Sequence, residues 1–260
     1  MSGYWAALFV VGFAVAGSMY ALALRWRRMA LVDLIWTAGV GIAAAAYVSA
    51  HELYHARALL VLAVVSLWSL RLTVHLFCDR VRSGDEDPRY VNLAKHWGPA
   101  ARRNFFGLFL LQIVFVALFI LPVSTALQHR AAVSWLDGLA LTIALVAFLG
   151  ESIADRQLAR FRADTRHATQ VCQEGLWRYS RHPNYFFEWV HWWAYVAFAW
   201  GSPQSWVAWI GPVAMYIFLR YLTGIPYAER SSLQRRGEAY RQYQYTTQAF
   251  FLWKPRTPPS

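Results

Sequence analysis

Seven long apolar stretches, separated by polar or basic segments, dominate the pattern of this sequence. Each approaches the roughly 20 residues that a helix needs to cross the hydrocarbon core of a bilayer. Backbone groups in lipid must be paired within the segment, and the alternating pattern of membrane-barrel strands is absent, so each stretch is predicted to be a helix. The predicted spans are residues 4–24, 30–50, 58–78, 104–126, 133–155, 185–200 and 205–223.

The lysines and arginines fall mainly on one side of these predicted spans. Of the 25 such residues, 22 lie in or at the edge of the segments that follow spans one, three, five and seven, and two lie in segments on the other side. Cytoplasmic loops are enriched in Lys and Arg, so the N-terminus is predicted to be outside and the C-terminus cytosolic. The basic inner face suits a polyanionic ligand, although the same charges also orient the chain and contact anionic lipid.

Composition supports a membrane protein and argues against an ordinary soluble domain. Hydrophobic residues make up 58% of the chain and charged residues 15%, which is too apolar for a soluble globular fold. The net charge of +11 is explained by topology, so no nucleic-acid partner is expected. We therefore predict one all-α domain over residues 1–260, integral to the membrane. The two cysteines show no disulfide or metal-ligand pattern, and we predict no metal.

Charged side chains cluster where the fifth span leaves the membrane. Glu151, Asp155 and Arg162 are separated by four and seven positions, which places them within about 40° of each other on one helical face. Two carboxylates and an arginine thus line one stripe at the inner face. A solvated helix end with local ion pairs is the simpler interpretation. Glu151 and Asp155 lie nearest the apolar part, which favours a binding role for them.

The run GLWRYSRHPNYFFEWVHWW, residues 175–193, brings polar groups to the start of the sixth span. Charges inside a membrane are costly and usually functional. Pro183 suits the first turn of a helix, with Ser180 or His182 as its cap, so the free N–H groups at the helix start would face the cytosol and bind a pyrophosphate. The residues expected to line this site are Trp177, Arg178, Tyr179, Arg181, His182, Asn184 and Glu188.

Within this set, each residue type favours a different part of a dinucleotide. Arg181 and His182 flank the helix donors and are assigned to phosphate. Asn184 and Glu188 are four positions apart and share a face, and Asn184 can both donate and accept, as the amide of nicotinamide requires. Trp177 offers a flat surface for a ring, although aromatic residues here also suit an interfacial belt.

Three further places hold polar residues in or beside the predicted spans. Glu52, next to His51, lies at the outer end of span two, either in water or folded back into the bundle, where a neutral carboxyl would donate to a substrate. Arg89 and Tyr90, in a cytosolic loop, are candidates for phosphate binding and for stacking on the cofactor. Asp33, near the inner end of span two, could pair with the arginine of span three.

Three motifs of the chain resemble the steroid 5α-reductase family and its bacterial relatives. They are E-x-x-x-D-x-Q-x-x-x-F-R at 151–162, GLWRYSRHPNYFFE at 175–188 and IPYAERSSLQRRGEAYRQY at 225–243. The resemblance implies a seven-helix reductase of the bacterial inner membrane that binds NADPH from the cytosol. Hydride would pass to the β-carbon of a lipophilic enone taken from the bilayer, such as a 3-oxo-Δ4 steroid, while an acid stabilises the developing enolate.

The resemblance also implies roles for individual residues. The C-terminal half, about 133–255, would carry the cofactor site. Glu52 would correspond to the glutamate of a Gln-Glu pair that holds the substrate ketone, with His51 in the place of the glutamine. The residues that would line the cofactor are Asp155, Arg162, Trp177, Arg181, His182, Asn184, Glu188 and Glu229.

The sequence departs from the family pattern at three positions. His51 replaces the expected glutamine, Trp68 stands where a tyrosine is expected in span three, and Phe187 stands where the family usually has Gly. Trp68 has no hydroxyl to donate. The first two departures concern the substrate, and the cofactor positions of the pattern are kept.

Two other functions fit parts of the sequence. Membrane methyltransferases of the isoprenylcysteine and phospholipid type share the Arg-His-Pro-x-Tyr element and bind S-adenosylmethionine, but they usually carry a Glu-Glu pair where this chain has Glu229 followed by Arg230. A non-enzymatic scaffold would use its polar residues only to pair helices. The combination of Asp155, Asn184 and Glu188 favours the reductase.

Overall fold

A computed structural model of the chain describes residues 2–82, 86–164, 166 and 170–257. Within these ranges every regular element is helical, which confirms the all-α prediction. A π-helical turn (Phe77–Val81) extends α3, another (Phe218–Leu222) follows α9, and 3₁₀ turns lie at Gly98–Ala100 and Gly175–Arg178. The helices are α1 (Ser2–Trp26), α2 (Leu31–Ala50), α3 (Ala56–Leu76), α4 (Pro88–Trp97), α5 (Ala101–Gln128), α6 (Trp135–Ala163), α7 (Pro183–Ala199), α8 (Ser205–Ala208), α9 (Ile210–Ile217), α10 (Ile225–Arg236) and α11 (Glu238–Thr246).

Six helical stretches within the described ranges are long and apolar enough to cross a membrane, which supports an integral membrane protein. The sixth predicted span forms α7, but this helix has 17 residues and is not among the six. The seventh predicted span is divided between α8, α9 and a π-helical turn. The count of seven spans and the orientation of the chain therefore stay predictions. The six stretches are Gly3–Trp26, Leu31–Ala50, Ala56–Val81, Pro88–Gln128, Trp135–Ala163 and Ser205–Arg236.

Helix α6 continues beyond the end predicted for the fifth span. The prediction ended at residue 155, whereas α6 runs to Ala163. The additional residues are mostly Arg, Gln, Leu and Ala, which have high helix propensity and so keep the helix intact after the apolar stretch ends. As a consequence, Glu151, Asp155 and Arg162 are carried on one continuous helix.

The chain divides into two compact units, which are described separately. The first comprises Met1–Ser134 with Phe198–Ile210, and the second comprises Trp135–Ala197 with Gly211–Ser260. The expectation of a single domain over residues 1–260 stays a prediction. Most of the residues assigned to the cofactor belong to the second unit, whereas His51, Glu52 and the Arg89–Tyr90 pair belong to the first.

In the first unit, small residues allow α2 and α3 to approach closely. A Cβ atom on Gly41 would lie 2.5 Å from Ser69 Oγ, so only glycine fits at this position. Ser69 Oγ donates to the Thr37 carbonyl at 2.6 Å, and Thr73 Oγ1 donates to Thr37 Oγ1 at 3.0 Å. Small residues and hydroxyl hydrogen bonds are the usual means of holding helices together in lipid.

In the second unit, aromatic side chains connect α7 and α9 to the segment after α11. The ring centroids of Tyr216 and Phe250 are 5.2 Å apart, and those of Trp189 and Phe250 are 5.8 Å apart. Trp189 Nε1 also donates to the Pro212 carbonyl at 3.0 Å. Edge-to-face pairs of this kind stabilise packing beyond simple burial, so they fix α7 within this unit.

Candidate functional site

The carboxylates predicted on the fifth span are buried on α6. Glu151 is 5% exposed and Asp155 is 9% exposed, whereas Arg162, two turns further along, is exposed. The predicted stripe therefore exists on one helix, with its acidic part inside the protein and its arginine at the surface. Burial of two carboxylates is costly unless they are hydrogen-bonded or paired. Their position inside the protein is therefore consistent with a role in binding a ligand.

Close packing of α6 and α7 brings Asp155 to Asn184. A Cβ atom on Gly150 would overlap the ring of Phe187, so the glycine gives that ring the space it occupies. At this contact, Asn184 Nδ2 donates to Asp155 Oδ1 at 3.2 Å. The other amide atom, Asn184 Oδ1, is buried and accepts no hydrogen bond from any residue that the structure describes. The amide thus has one acceptor oriented by Asp155 and still available for a ligand.

The turn before α7 is fixed to α6 by two hydrogen bonds. Gly175 has a φ of +55°, and the side chain of Gln157 occupies the space where a Cβ would lie. Gln157 Oε1 accepts from Leu176 N at 3.0 Å, and Trp177 Nε1 donates to the Ala154 carbonyl at 2.9 Å. Trp177 is therefore a buried part of the packing, while its neighbours Arg178 and Tyr179 are exposed.

Ser180 binds the backbone immediately before α7, and a side-chain cap on the first turn itself stays a prediction. Ser180 Oγ accepts from His182 N at 3.2 Å, and the His182 carbonyl accepts from Phe186 N at 3.1 Å. Pro183 is the first residue of the helix. The next backbone N–H groups have no partner within a regular helix, so the start of α7 offers donors and a positive dipole end to an anion.

Arg181 holds α10 and α11 against the start of α7. Its Nε donates to Glu229 Oε1 at 2.7 Å, and its Nη1 donates to the carbonyls of Gln244, at 2.9 Å, and Thr247. Gln244 Nε2 donates to Glu229 Oε2 at 2.8 Å. Arg181 and Glu229 were both assigned to the cofactor, and the structure brings them together as a half-buried ion pair. A phosphate role for Arg181 stays a prediction.

His182 lies directly beside this ion pair and is 6% exposed. Its Nε2 is 3.5 Å from Glu229 Oε1, too long for a strong hydrogen bond, and its ring stacks on Tyr185 at 5.4 Å. Burial lowers the pKa of His182, and the charge of Arg181 lowers it further, while Glu229 partly offsets both. The imidazole is therefore neutral at pH 7, which leaves it able to donate or accept a hydrogen bond.

The segment after α11 lies along the residues that precede α7. The Gln248 carbonyl accepts from Arg181 N at 2.8 Å, the Phe250 carbonyl accepts from Ser180 Oγ at 2.9 Å, and Trp253 N donates to the Tyr179 carbonyl at 2.9 Å. We call residues 248–253 the C-terminal strap. The backbone N–H of Trp253, the last residue of the strap, is therefore paired.

Glu188 lies one turn beyond Asn184 and is 5% exposed. Its Oε1 accepts from Trp192 Nε1 at 3.2 Å. By sequence reasoning the aromatic residues of this run also suited an interfacial belt, but Trp192 is fully buried. The same reasoning overlooked His191 and Tyr195, which are buried further along α7 and hydrogen-bonded to each other at 2.8 Å. Their signal was present in the sequence, since they continue the helical stripe begun by Asn184 and Glu188.

Arginines surround Cys172 near the end of α6. Burial raises the pKa of the Cys172 thiol, while the charges of Arg162 and Arg236 act in the opposite direction. Arg236 Nε also donates to the Gln170 carbonyl at 2.7 Å. Arg162 and Arg236 thus place positive charge near Cys172, with the carboxylate of Glu174 also close enough to act on the thiol.

In the first unit, the predicted catalytic pair lies at the end of α2. Glu52 is exposed and has a φ of +51°, so its carboxyl is not in a buried apolar pocket within this unit. His51 Nδ1 is 3.0 Å from the Tyr47 carbonyl, and its ring stacks on that of Tyr47 at 4.1 Å. The catalytic role of both residues stays a prediction.

Arg89 and Tyr90 bind Asp33 within the first unit. Tyr90 Oη donates to Asp33 Oδ1 at 2.7 Å, and Arg89 Nη2 donates to Asp33 Oδ2 at 2.9 Å. Arg80 Nη1 contacts the same carboxylate at 2.5 Å. Asp87 caps α4 by accepting from Arg89 N at 2.9 Å. Burial opposes ionisation of Asp87, but the hydrogen bonds and charge of Arg89 outweigh it and lower the pKa. Cofactor roles for Arg89 and Tyr90 stay predictions.

These features define a helical integral membrane protein with buried polar groups on α6 and α7. The described ranges contain no group of three or more His, Cys, Asp or Glu side chains arranged to hold a metal ion. The chain belongs to the DUF1295 family, described as a protein of unknown function, whose profile matches residues 19–247. This is a membrane protein family related to steroid 5α-reductases, which confirms the expected relationship at that level.

A curated relative comes from the fission yeast Schizosaccharomyces pombe. The uncharacterized protein C594.04c is 27% identical to this chain over an alignment 286 positions long, which covers 94% of this chain and 79% of the relative. The similarity thus extends over nearly the whole chain. Because the relative is itself uncharacterized, it assigns no activity.

Proposed function

We propose that this protein is an NADPH-dependent reductase that saturates the carbon–carbon double bond of a lipophilic enone, such as a 3-oxo-Δ4 steroid. The supporting observation is the part-buried Asp155–Asn184 hydrogen bond between α6 and α7. It leaves Asn184 Oδ1 without a donor among the described residues, and a buried acceptor without a donor is costly. The carboxamide of nicotinamide has an N–H₂ group that would satisfy it.

The neighbouring groups fit the remainder of such a cofactor. The start of α7 would hold the pyrophosphate with its backbone donors. Exposed arginines, chiefly Arg162 and Arg178, would supply charge to the phosphates. The neutral His182 is available as a hydrogen-bond partner. When bound, NADPH supplies a hydride, and the role of these residues is to orient the cofactor and to keep Asn184 in place.

Arg181 has a different role in this proposal. Its guanidinium is bonded to Glu229 and to two backbone carbonyls of the α11 region. Such a buried, multiply bonded arginine positions the start of α7, and Glu229 compensates its charge. The exposed arginines, whose side chains reach the surface, are therefore the ones assigned to the phosphates.

A membrane methyltransferase that uses S-adenosylmethionine is the second candidate. The observation in its favour is that Arg181 and His182 both approach Glu229, which unites the Arg-His-Pro-x-Tyr element with the C-terminal acidic position. Asp155, Asn184 and the surrounding arginines favour the dinucleotide over this alternative, since S-adenosylmethionine carries no phosphate.

Nucleotide binding to the purified protein in detergent tests the proposal. We expect the fluorescence of NADPH to change on binding, and Asn184→Ala to weaken binding at least about tenfold, the cost of losing one buried hydrogen bond. Asn92→Ala, which removes an exposed amide from α4, is the matched control and should bind as the wild type does. Binding of S-adenosylmethionine and not NADPH would show a methyltransferase, and binding of neither would favour a scaffold.

A further inference from the structure

The polar stripe of α7 continues beyond the residues assigned to the cofactor. Asn184, Glu188, His191 and Tyr195 are separated by four, three and four positions, which places them within about 60° on one helical face. Glu188, His191 and Tyr195 are 5%, 3% and 0% exposed. Ionisable and polar groups inside an apolar helix are expensive and usually functional, and the cofactor accounts for only the first two.

His191 and Tyr195 form a buried hydrogen-bonded pair. His191 Nε2 is 2.8 Å from Tyr195 Oη, and the two rings meet edge to face with centroids 5.2 Å apart. A phenol can both donate and accept, and so can a neutral imidazole. One hydrogen bond between them therefore leaves further capacity on the Tyr195 hydroxyl. The imidazole also holds the phenol ring in one orientation, as a preorganised donor requires.

The position of the pair along α7 suits a lipophilic ligand. Tyr195 lies 11 residues beyond Asn184, or about 16 Å along the helix axis. That distance is about half the thickness of the hydrocarbon core of a bilayer, roughly 30 Å. A hydrophobic molecule reaches such a depth without leaving the lipid, and a lone polar donor there would recognise its polar atom.

We propose that Tyr195, positioned by His191, donates a hydrogen bond to the carbonyl oxygen of the lipophilic enone. This inference rests on the proposed reductase function. The double bond gains a hydride from the cofactor at its β-carbon and a proton from water at its α-carbon. Between these two additions, the π pair of the former double bond joins the α-carbon to the carbonyl carbon, and the carbonyl π pair resides on oxygen as an enolate. A phenol O–H directed at that oxygen stabilises the negative charge.

The test uses 2-naphthol, a flat lipophilic phenol whose oxygen resembles that of an enolate. Its fluorescence reports binding to the detergent-solubilised protein in the presence of NADP⁺. We expect Tyr195→Phe to weaken 2-naphthol binding about 3-fold to 10-fold, the effect of one hydrogen bond between neutral groups, while NADPH affinity is unchanged. Tyr20→Phe is the control, since it removes a hydroxyl bonded to the Arg102 carbonyl in the first unit, and it should change neither affinity.

A second variant separates positioning from folding. His191→Gln keeps the Tyr195 hydroxyl but removes the imidazole, so it should weaken 2-naphthol binding by a smaller factor than Tyr195→Phe and leave NADPH affinity unchanged. If Tyr195→Phe does not fold, His191→Gln carries the test, and wild-type affinity for 2-naphthol would then overturn the proposal.

Each remaining outcome is also decisive. Equal 2-naphthol affinity in the wild type and Tyr195→Phe, or no binding of 2-naphthol to a wild type that binds NADPH, overturns the role of Tyr195 and leaves the reductase function standing. Failure of the wild type to bind NADPH overturns both.

Discussion

Replacing Asp33 by Asn is expected to destabilise the protein substantially. The Asp33 carboxylate accepts hydrogen bonds from Tyr90 and Arg89 and forms an ion pair with Arg80, and its side chain is 16% exposed. Removing one partner of a buried ion pair costs about 3–5 kcal/mol, because the opposite charge is left uncompensated. Asn keeps one acceptor oxygen, and Asp87 still contacts Arg89, so we expect a loss of about 2–3 kcal/mol.

The free energy of unfolding can be measured by tryptophan fluorescence in mixed micelles as the fraction of SDS is raised. Asp164→Asn is the matched control, since it breaks an ion pair with Arg166, whose side chain is 85% exposed, and should cost less than about 1 kcal/mol. If Asp33→Asn is no less stable than Asp164→Asn, the cluster around Asp33 contributes nothing, and the structural role given to Arg89 and Tyr90 is wrong.

Two further predictions follow from the second unit. Gly150→Ala should lower the free energy of unfolding by about 1–3 kcal/mol through overpacking, because the new methyl group meets the ring of Phe187, and it should also weaken NADPH binding. Adding Phe187→Ala should recover part of both losses, and a double variant without recovery would exclude this contact as the cause. The pKa of His182 is lowered in the folded protein from its ordinary value of 6.5, so the unfolded chain binds the proton more readily. The contribution of His182 to the free energy of unfolding is therefore fully present above pH 6.5 and should decrease as the pH falls below 6.5. His182→Gln should reduce that slope in pH-dependent unfolding, and an unchanged slope would contradict the assignment.

The helices could be predicted from the sequence because lipid imposes a simple rule. An apolar stretch of sufficient length must be helical to satisfy its backbone, and the predicted spans from residue 4 to residue 155 all became helices. The stripe of Glu151, Asp155 and Arg162 was predictable for a related reason, since helical spacing alone determines which residues share a face.

The partners of polar side chains could not be predicted in the same way. Arg181 and Glu229 are 48 positions apart, and Asp33 and Arg89 are 56 apart, so only the packing of helices decides that they meet. The close contact between Gly150 and the ring of Phe187 was unpredictable for the same reason. Phe187 departs from the pattern of the related reductases, and nothing in the spacing of residues indicates that Gly150 on α6 accommodates its ring.

The C-terminal strap has a consequence for the order in which the candidate site is completed. The carbonyl groups that accept from Ser180 and Arg181 belong to residues 70 and 67 positions further along the chain. During synthesis, α7 is made well before these partners exist. The turn before α7 therefore lacks these two hydrogen-bond acceptors until residues 248–253 have been made. A ribosome-bound chain that stops short of residue 248 contains every candidate side chain of α6 and α7, but it lacks the backbone carbonyls that hold the turn before α7 in place.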